Sequence, residues 1–387
     1  MAPSHILDIR NLVTRFYTYE GVVQALNGIS FQVRHGSTFG LVGESGCGKS
    51  VTVRSLMQIV QSPGVIEGGE IWFSPEPDKD ETTDLLTLDE AAMQEIRGNR
   101  ISMIFQEPNA ALNPIMTIGE QIAESYLFHR RAQIIERLLG RAGADNPFPQ
   151  VKIPGVLKPL YALALNRPEA LVFKLLKRMP LLKHWDRTIL DTAVAKSVEL
   201  LASLGIPNPE RIVNQYPHNL SGGMKQRVVI AIALASEPVL LIADEATSNL
   251  DVTVQAQILD LLNDLKEKQV ISSIVLITHD LGVVAETCDR VGVMYAGNLC
   301  EVGHVKDIFE DPKHPYTRAL LASVPKVRQT GDLLSIPGNV PNLVNPPPGC
   351  RFHPRCDHAM DRCKTRLPGP VPMGQDHQVA CYLYHKG

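Results

Sequence analysis

Residues 6–13 and 22–33 alternate apolar and polar side chains, the period-two pattern of strands with one buried face. Residues 38–42 form a short apolar strand candidate that runs directly into glycines, and a helix is predicted from about Ser50. Residues 71–73 and 101–105 read as further strands, separated by an acidic, Pro-containing loop at 74–84. From 118 to about 204 the pattern is helical, interrupted by a Pro/Gly-rich stretch at 146–159. A buried strand at 239–243, an amphipathic helix at 252–267 and strands at 274–278 and 291–295 complete the pattern. Strands alternating with helices predict an α/β core. After about Gly303 prolines become dense (Pro337, Pro341, Pro346, Pro347, Pro348) and four cysteines cluster, which predicts a small appended module.

Composition adds bounds. The chain has 387 residues, 44% hydrophobic and 20% charged, enough for one large domain and one or two small ones. Its longest apolar stretch, residues 228–235, is far shorter than the roughly 20 residues of a membrane-spanning helix, so no crossing is expected. Met1 to Asp8 lack the features of a secretory signal, which makes the cytoplasm the expected compartment. An odd count of seven cysteines, one of them within a phosphate-loop pattern, agrees with reducing surroundings. The net charge is −3, yet residues 129–187 hold twelve Lys/Arg against four Asp/Glu.

Gly43-Glu44-Ser45-Gly46-Cys47-Gly48-Lys49-Ser50 fits G-x-x-x-x-G-K-[ST], after a predicted strand and before a predicted helix that continues through Val51. Glycines let backbone N–H groups face phosphates, the helix N-terminus adds positive potential, Lys49 reaches the β and γ phosphates, and Ser50 offers an oxygen to Mg²⁺. The plainer alternative is a glycine-rich turn with an incidental lysine. Strand 239–243 ends in Asp244 and Glu245, where Asp244 can hold Mg²⁺ and Glu245 can polarise a water; a solvated strand terminus is the plainer alternative. Leu220-Ser221-Gly222-Gly223-Met224-Lys225-Gln226 opens a helix with a serine and two glycines, a second phosphate-binding helix start.

With this third element the sequence resembles the ATP-binding-cassette family, whose signature is L-S-G-G-x-x-Q. The resemblance implies a P-loop NTPase fold with a β-subdomain and a helical subdomain at about 107–236, the ATPase domain spanning 1–303 and an extension 304–387. It implies that ATP is sandwiched between two subunits, the phosphate loop of one facing Ser221, Gly222, Gly223 and Gln226 of the other. Gln106 looks like the Q-loop glutamine that senses Mg²⁺ and the membrane partner, His279 like the switch histidine, and Asp251 like the D-loop aspartate. A strand-end polar residue, a capped surface histidine and a helix N-cap are their plainer alternatives. For the adenine-stacking aromatic Phe16 fits best, with Tyr17 and Tyr19 as rivals. Asn249 in Ala246-Thr247-Ser248-Asn249-Leu250-Asp251 departs from the usual D-loop sequence and could alter communication between sites. Glu245 and His279 together imply an active ATPase.

Ala110-Ala111-Leu112-Asn113-Pro114, His314-Pro315-Tyr316-Thr317-Arg318-Ala319-Leu320 and the Cys-containing tail narrow the resemblance to the peptide-transporter ATPases, whose members handle dipeptides, oligopeptides, nickel and, in some cases, oligosaccharides. The implied partners are a second cassette, more often an unlike one, two transmembrane permeases and an extracytoplasmic solute-binding protein, at the cytoplasmic face of the membrane and without nucleic acid. A soluble cassette of DNA repair or translation and a silent regulatory cassette are the rivals. The basic stretch of about 128–190 lies outside the resemblance; it reads either as a helical excursion near lipid or permease or as a solvated elaboration with a small private core. Cys350, Cys356, Cys363 and Cys381, in a tail that looks too small to fold unaided, resemble a [4Fe-4S] site, with zinc as one alternative, His353, His358 and His377 as its possible further ligands, and unliganded thiols as the other.

Overall fold

A computed structural model describes residues 5–77, 81–143, 145–151, 153–166, 186–247, 250–323, 336–374 and 376–385. The chain divides into two compact units, Met1–Arg97 with Val239–Ser248 and Leu262–Gly387, and Gly98–Pro238 with Asn249–Leu261.

The first unit holds two sheets. One is antiparallel in the order β2-β1-β4-β5, from β1 (His5–Thr18), β2 (Gly21–Arg34), β4 (Gly64–Phe73) and β5 (Thr83–Asp84). The alternation that predicts β1 and β2 is the alternation of their burial: Ile9, Leu12 and Thr14 point inward, as do Leu26, Ile29, Phe31 and Val33. The other sheet in this unit runs β11-β12-β10-β9-β3-β8-β7. Its strands are β3 (Thr38–Val42), β7 (Leu240–Asp244), β8 (Ser273–Ile277), β9 (Arg290–Tyr295), β10 (Asn298–His304), β11 (Val371–Pro372) and β12 (Gln378–Val379). The strand β3 lies parallel to β8 and β9, and β7 parallel to β8. Every residue of β3, β7 and β8 is buried, which is why they read as unbroken apolar runs rather than as alternation. The register places Leu41 and Asp244 both opposite Ile277, so the chain leaves three adjacent strands at one level.

The tail is part of this unit and not a free-standing module. Strand β12 extends the sheet by pairing Val379 with Glu301 and Gln378 with Val302 of β10. Phe352 enters the same core as Tyr295 and Tyr316, with ring centroids 5.1 and 5.3 Å away. Glu301 sits beneath this junction, 1% exposed, accepting the backbone N–H groups of Lys313 (2.7 Å) and His314 (2.9 Å) and lying 2.8 Å from His377 Nε2. Sequence reading passes over β10 because Glu301 and Gly303 break its apolar pattern; the glutamate is there to satisfy donors brought from far along the chain.

The second unit contains β6 (Ile101–Ile104) and a set of helices. The helix Ile118–His129 starts at a capping box, Thr117 accepting from Glu120 N–H while the Glu120 carboxylate accepts from Thr117. It buries Ile118, Ile122, Ala123 and Tyr126, the last edge-on to Phe148 at 5.4 Å. Ile134, Ile135, Leu138 and Tyr161 are buried as well, so part of the described basic stretch packs as apolar core. Two of its arginines are spent on carbonyls within the unit, Arg130 on Ser236 (2.6 Å) and Arg137 on Phe148 (2.8 Å). Lys152, Arg167, Lys174, Lys177, Arg178 and Lys183 lie outside the described residues. Among the described residues no helix is long and apolar enough to cross a membrane.

The tail junction carries a pH dependence of known sign. Burial pushes the His314 pKa from 6.5 down to about 4, and its Nδ1 accepts the Tyr316 N–H as the cap of the helix Pro315–Ala322. Because the unfolded chain takes up the proton near 6.5 and the folded one only near 4, stability falls as pH drops through that window, by roughly 3 kcal/mol at most. Burial raises the Glu301 pKa, but its hydrogen bonds outweigh that and leave it below the ordinary range, so its contribution disappears at still lower pH. Melting temperature should therefore decline from pH 6.5 to 4.5, and less steeply in His314→Asn, which keeps a capping acceptor without the titration. Equal slopes in the two proteins would refute the assignment.

Candidate functional site

The turn between β3 and the helix Lys49–Leu56 needs three glycines. Gly43, Gly46 and Gly48 have φ of 149°, 77° and 109°, a region that side-chain-bearing residues rarely adopt. At Gly43 a Cβ would lie 2.1 Å from the Met294 carbonyl oxygen and 2.8 Å from Cys47 Sγ, so the backbone packs where no side chain fits. Ser45 and Gly46 are exposed at the crest, while Cys47, Gly48 and Lys49 are buried. Gly48 caps the helix with no side-chain acceptor, and no acidic residue stands in the first turn; a helix start of this kind attracts anions. Lys49 Nζ donates to the carbonyls of Gly43 (2.8 Å) and Glu44 (3.2 Å), curling its ammonium over the loop. Cys47 is a free thiol whose pKa burial raises, so it packs as a small apolar residue.

The next strands bring carboxylates and imidazole to the same end. Ser50 Oγ donates to Asp244 Oδ1 at 2.9 Å. Asp244 is 2% exposed, and burial raises its pKa against the pull of Ser50 and Arg54. A hydroxyl and a buried carboxylate side by side form the oxygen pair that Mg²⁺ takes from protein when phosphates supply the rest. Glu245 follows at φ 49°, a left-handed conformation unusual for glutamate, with its N–H bonded to the Ile277 carbonyl at 2.9 Å. His279 leaves β8 beside it, Nδ1 4.0 Å from Glu245 Oε2 and the ring 61% exposed. Asp280 then caps the helix Leu281–Thr287 through Gly282 N–H at 2.8 Å. Lys49, Ser50, Asp244, Glu245 and His279 thus gather around one buried floor.

In the second unit, Ser221 caps the helix Gly222–Leu234 by accepting the Met224 N–H at 3.4 Å. Ser221 and Gly222 are exposed, so this helix start faces outward. A Cβ at Gly223 would meet Val254 at 2.9 Å, which explains the second glycine as a packing requirement as well. Gln226 is buried at 1% exposure, whereas Gln106 is exposed. Asp251 caps the helix Val252–Glu267 through Val254 N–H at 3.0 Å; Asn249 lies outside the described residues. Among the aromatic candidates of the first unit, Phe16 is half-buried against Gly64, Tyr17 donates its hydroxyl to Glu67, and Tyr19 is fully exposed.

The four-cysteine cluster requires correction. Among the described residues no group of three or more His, Cys, Asp or Glu side chains could hold a metal ion, which removes both the [4Fe-4S] and the zinc reading of Cys350, Cys356, Cys363 and Cys381. Burial instead favours protonated thiols, raising Cys350 to about 11 and also raising Cys356 and Cys381. The premise behind a metal fails too, because the tail shares the core of the first unit through Phe352 and Val379. Sequence reading also overlooks Tyr316 and Arg355 as contacts of the phosphate loop. Tyr316 stands in the His-Pro-Tyr-Thr run, read there only as a family mark, and nothing local sets Arg355 apart from other tail arginines.

Gly43→Ala should destabilise the protein by about 2–3 kcal/mol, since both φ and contact are violated, against about 1 kcal/mol for Gly46→Ala, where no atom lies within 4 Å. Denaturant midpoints compare the two, and equal losses would contradict the close packing at Gly43.

Residues 26–248 match the family model described as ABC transporter, and residues 300–363 the one described as oligopeptide/dipeptide transporter, C-terminal region. The oligopeptide transport ATP-binding protein OppD of Bacillus subtilis is 42% identical over 385 residues, covering 99% of this chain and 90% of that protein. A probable peptide ABC transporter ATP-binding protein of Sinorhizobium fredii is 42% identical, covering 97% of this chain and 94% of that one, and the dipeptide transport ATP-binding protein DppD of Bacillus subtilis is 41% identical, covering 98% and 94%. These names describe ATP-binding transport proteins and mention no iron–sulfur cluster. A dimeric ATP-binding cassette solved in a post-hydrolysis state with ADP and Pi has the same fold, with TM-score 0.52 at 21% identity over 77% of this chain and 98% of that one. With the phosphate loop, the paired carboxylates and the signature helix start all in place, this chain belongs to the ABC transporter family, among its oligopeptide and dipeptide transport ATPases.

Proposed function

We propose that the chain binds and hydrolyses ATP as the energy-coupling subunit of a peptide importer, held at the cytoplasmic face of a membrane. The observation that carries the reading is the convergence of Lys49, the Ser50–Asp244 pair, Glu245 and His279 at the ends of adjacent parallel strands. The match of residues 300–363 to a peptide-transporter C-terminal region, and relatives named for oligopeptide and dipeptide transport, support peptides as cargo.

Lys49 exchanges the Gly43 and Glu44 carbonyls for β and γ phosphate oxygens. Ser50 and Asp244 would hold Mg²⁺, which neutralises phosphate charge when bound. Glu245 orients a water for in-line attack on the γ phosphate and accepts its proton, while His279 donates to the charge that builds on the departing phosphoryl group. The outward-facing helix start at Ser221 supports a sandwich of two cassettes, each supplying that start to the nucleotide on the other's phosphate loop. A second, unlike cassette, two permeases that contact the region of Gln106, and an extracytoplasmic binding protein complete the assembly in this reading, with Phe16 against the adenine.

Glu245→Gln should keep MgATP binding, lose hydrolysis by about a hundredfold or more, and elute as an ATP-dependent dimer with its partner cassette. Turnover at the native rate in this variant would require another base.

A further inference from the structure

The phosphate loop of this chain carries an acidic side chain, and the tail neutralises it. Glu44 stands one residue after Gly43, and the Arg355 guanidinium grips its carboxylate with both prongs, at 2.8 and 3.1 Å. The arginine is itself fixed: Nε donates to the Pro337 carbonyl at 2.8 Å, a terminal nitrogen donates to Tyr295 OH at 3.2 Å, and the side chain is 6% exposed. Tyr316, fully buried, accepts the Glu44 N–H on its hydroxyl at 3.0 Å. From the other side Arg351 donates to the carbonyls of Ala296 and Gln24, holding a turn whose Gly297 N–H binds the Cys47 carbonyl at 2.8 Å. Tail residues therefore grip the loop at Glu44 directly and at Cys47 through that turn.

We propose that Arg355 is a positioning residue for nucleotide: through its fork on Glu44 it holds the phosphate loop in its binding conformation and cancels a carboxylate that would repel the incoming triphosphate, so that docking of the tail sets the affinity for MgATP. Two physical effects act in one direction. A loop that is free to leave its binding conformation has its affinity divided by the fraction of time it is competent. An uncompensated carboxylate on the loop that takes the phosphates adds like-charge repulsion that is weakly screened in a partly buried site. A bidentate arginine suits both tasks, since it fixes orientation as well as charge, and lysine would supply only the charge.

The inference rests on the reading that the loop binds MgATP, which the native full-length chain and Lys49→Ala test separately: if the native chain binds no MgATP, that reading fails before this one is reached. With binding established, the equilibrium dissociation constant for MgATP is measured by calorimetry in four full-length proteins: native, Arg355→Ala, Glu44→Gln and the double variant. Arg355→Ala should raise the constant about tenfold in the native background and less than about twofold in the Glu44→Gln background, because the fork's target charge is then already gone. Arg355→Lys should fall between native and alanine, and it serves the same comparison if the alanine variant does not fold. Melting temperatures recorded on the same samples separate a simple anchor from a positioning role. A lowered melting temperature with unchanged nucleotide affinity would overturn the proposal, as would the same fold-change in both backgrounds.

Discussion

Parallel pairing of β3 with β8, and of β8 with β7, is the constraint on which the rest of this molecule depends. Parallel strands release their chains at one edge, and the register here brings Val42, Asp244 and Ile277 to that edge nearly level. Each strand can then end in chemistry: the phosphate loop after β3, the Asp244–Glu245 pair after β7, Thr278 and His279 after β8. Slipping one strand by a single residue would turn its buried run and break the 2.9 Å bond between Ser50 and Asp244. The glycines, the left-handed Glu245 and the buried Lys49 are local adjustments made on that fixed edge.

The nucleotide motifs were legible in the sequence because their chemistry is contiguous. Eight consecutive residues build the loop, two adjacent ones build the acidic pair, and the helix start at Ser221 needs only its own neighbours. The parallel strands were legible as well, since burial on both faces leaves an apolar run such as Leu240–Asp244 with a single polar end. What escaped was contact between residues far apart in the chain. Glu301 reads as a break in a strand until His377 is seen 2.8 Å away, and Glu44 reads as an incidental loop residue until Arg355, 311 positions later, is seen on it. The cysteine tail failed for a related reason. Its spacing reads as that of a small module in need of a staple, whereas the fold gives it the core of the first unit through Phe352 and an added strand at Val379.

The plainer reading of Asp251, a helix N-cap, holds in this structure. Ser221, Asp251 and Asp280 all cap helices in this structure, and Gly223 is required by Val254. Capping and ligand binding draw on the same unpaired N–H groups at a helix start, so a residue suited to one is suited to the other. What distinguishes Ser221 is exposure: its helix opens outward, whereas the helix Lys49–Leu56 opens onto the Ser50–Asp244 pair. Two helix starts suited to anionic phosphate in one chain support the proposed sandwich of two cassettes.

Hydrogen exchange of the chain mixed with a second, unlike cassette, with and without MgATP, tests this proposal most directly. If two polypeptides share each nucleotide, MgATP slows exchange both in residues 43–52 and at Gly222 to Lys225, and the second protection fades on dilution while the first persists. Protection confined to residues 43–52 at every protein concentration would contradict the account.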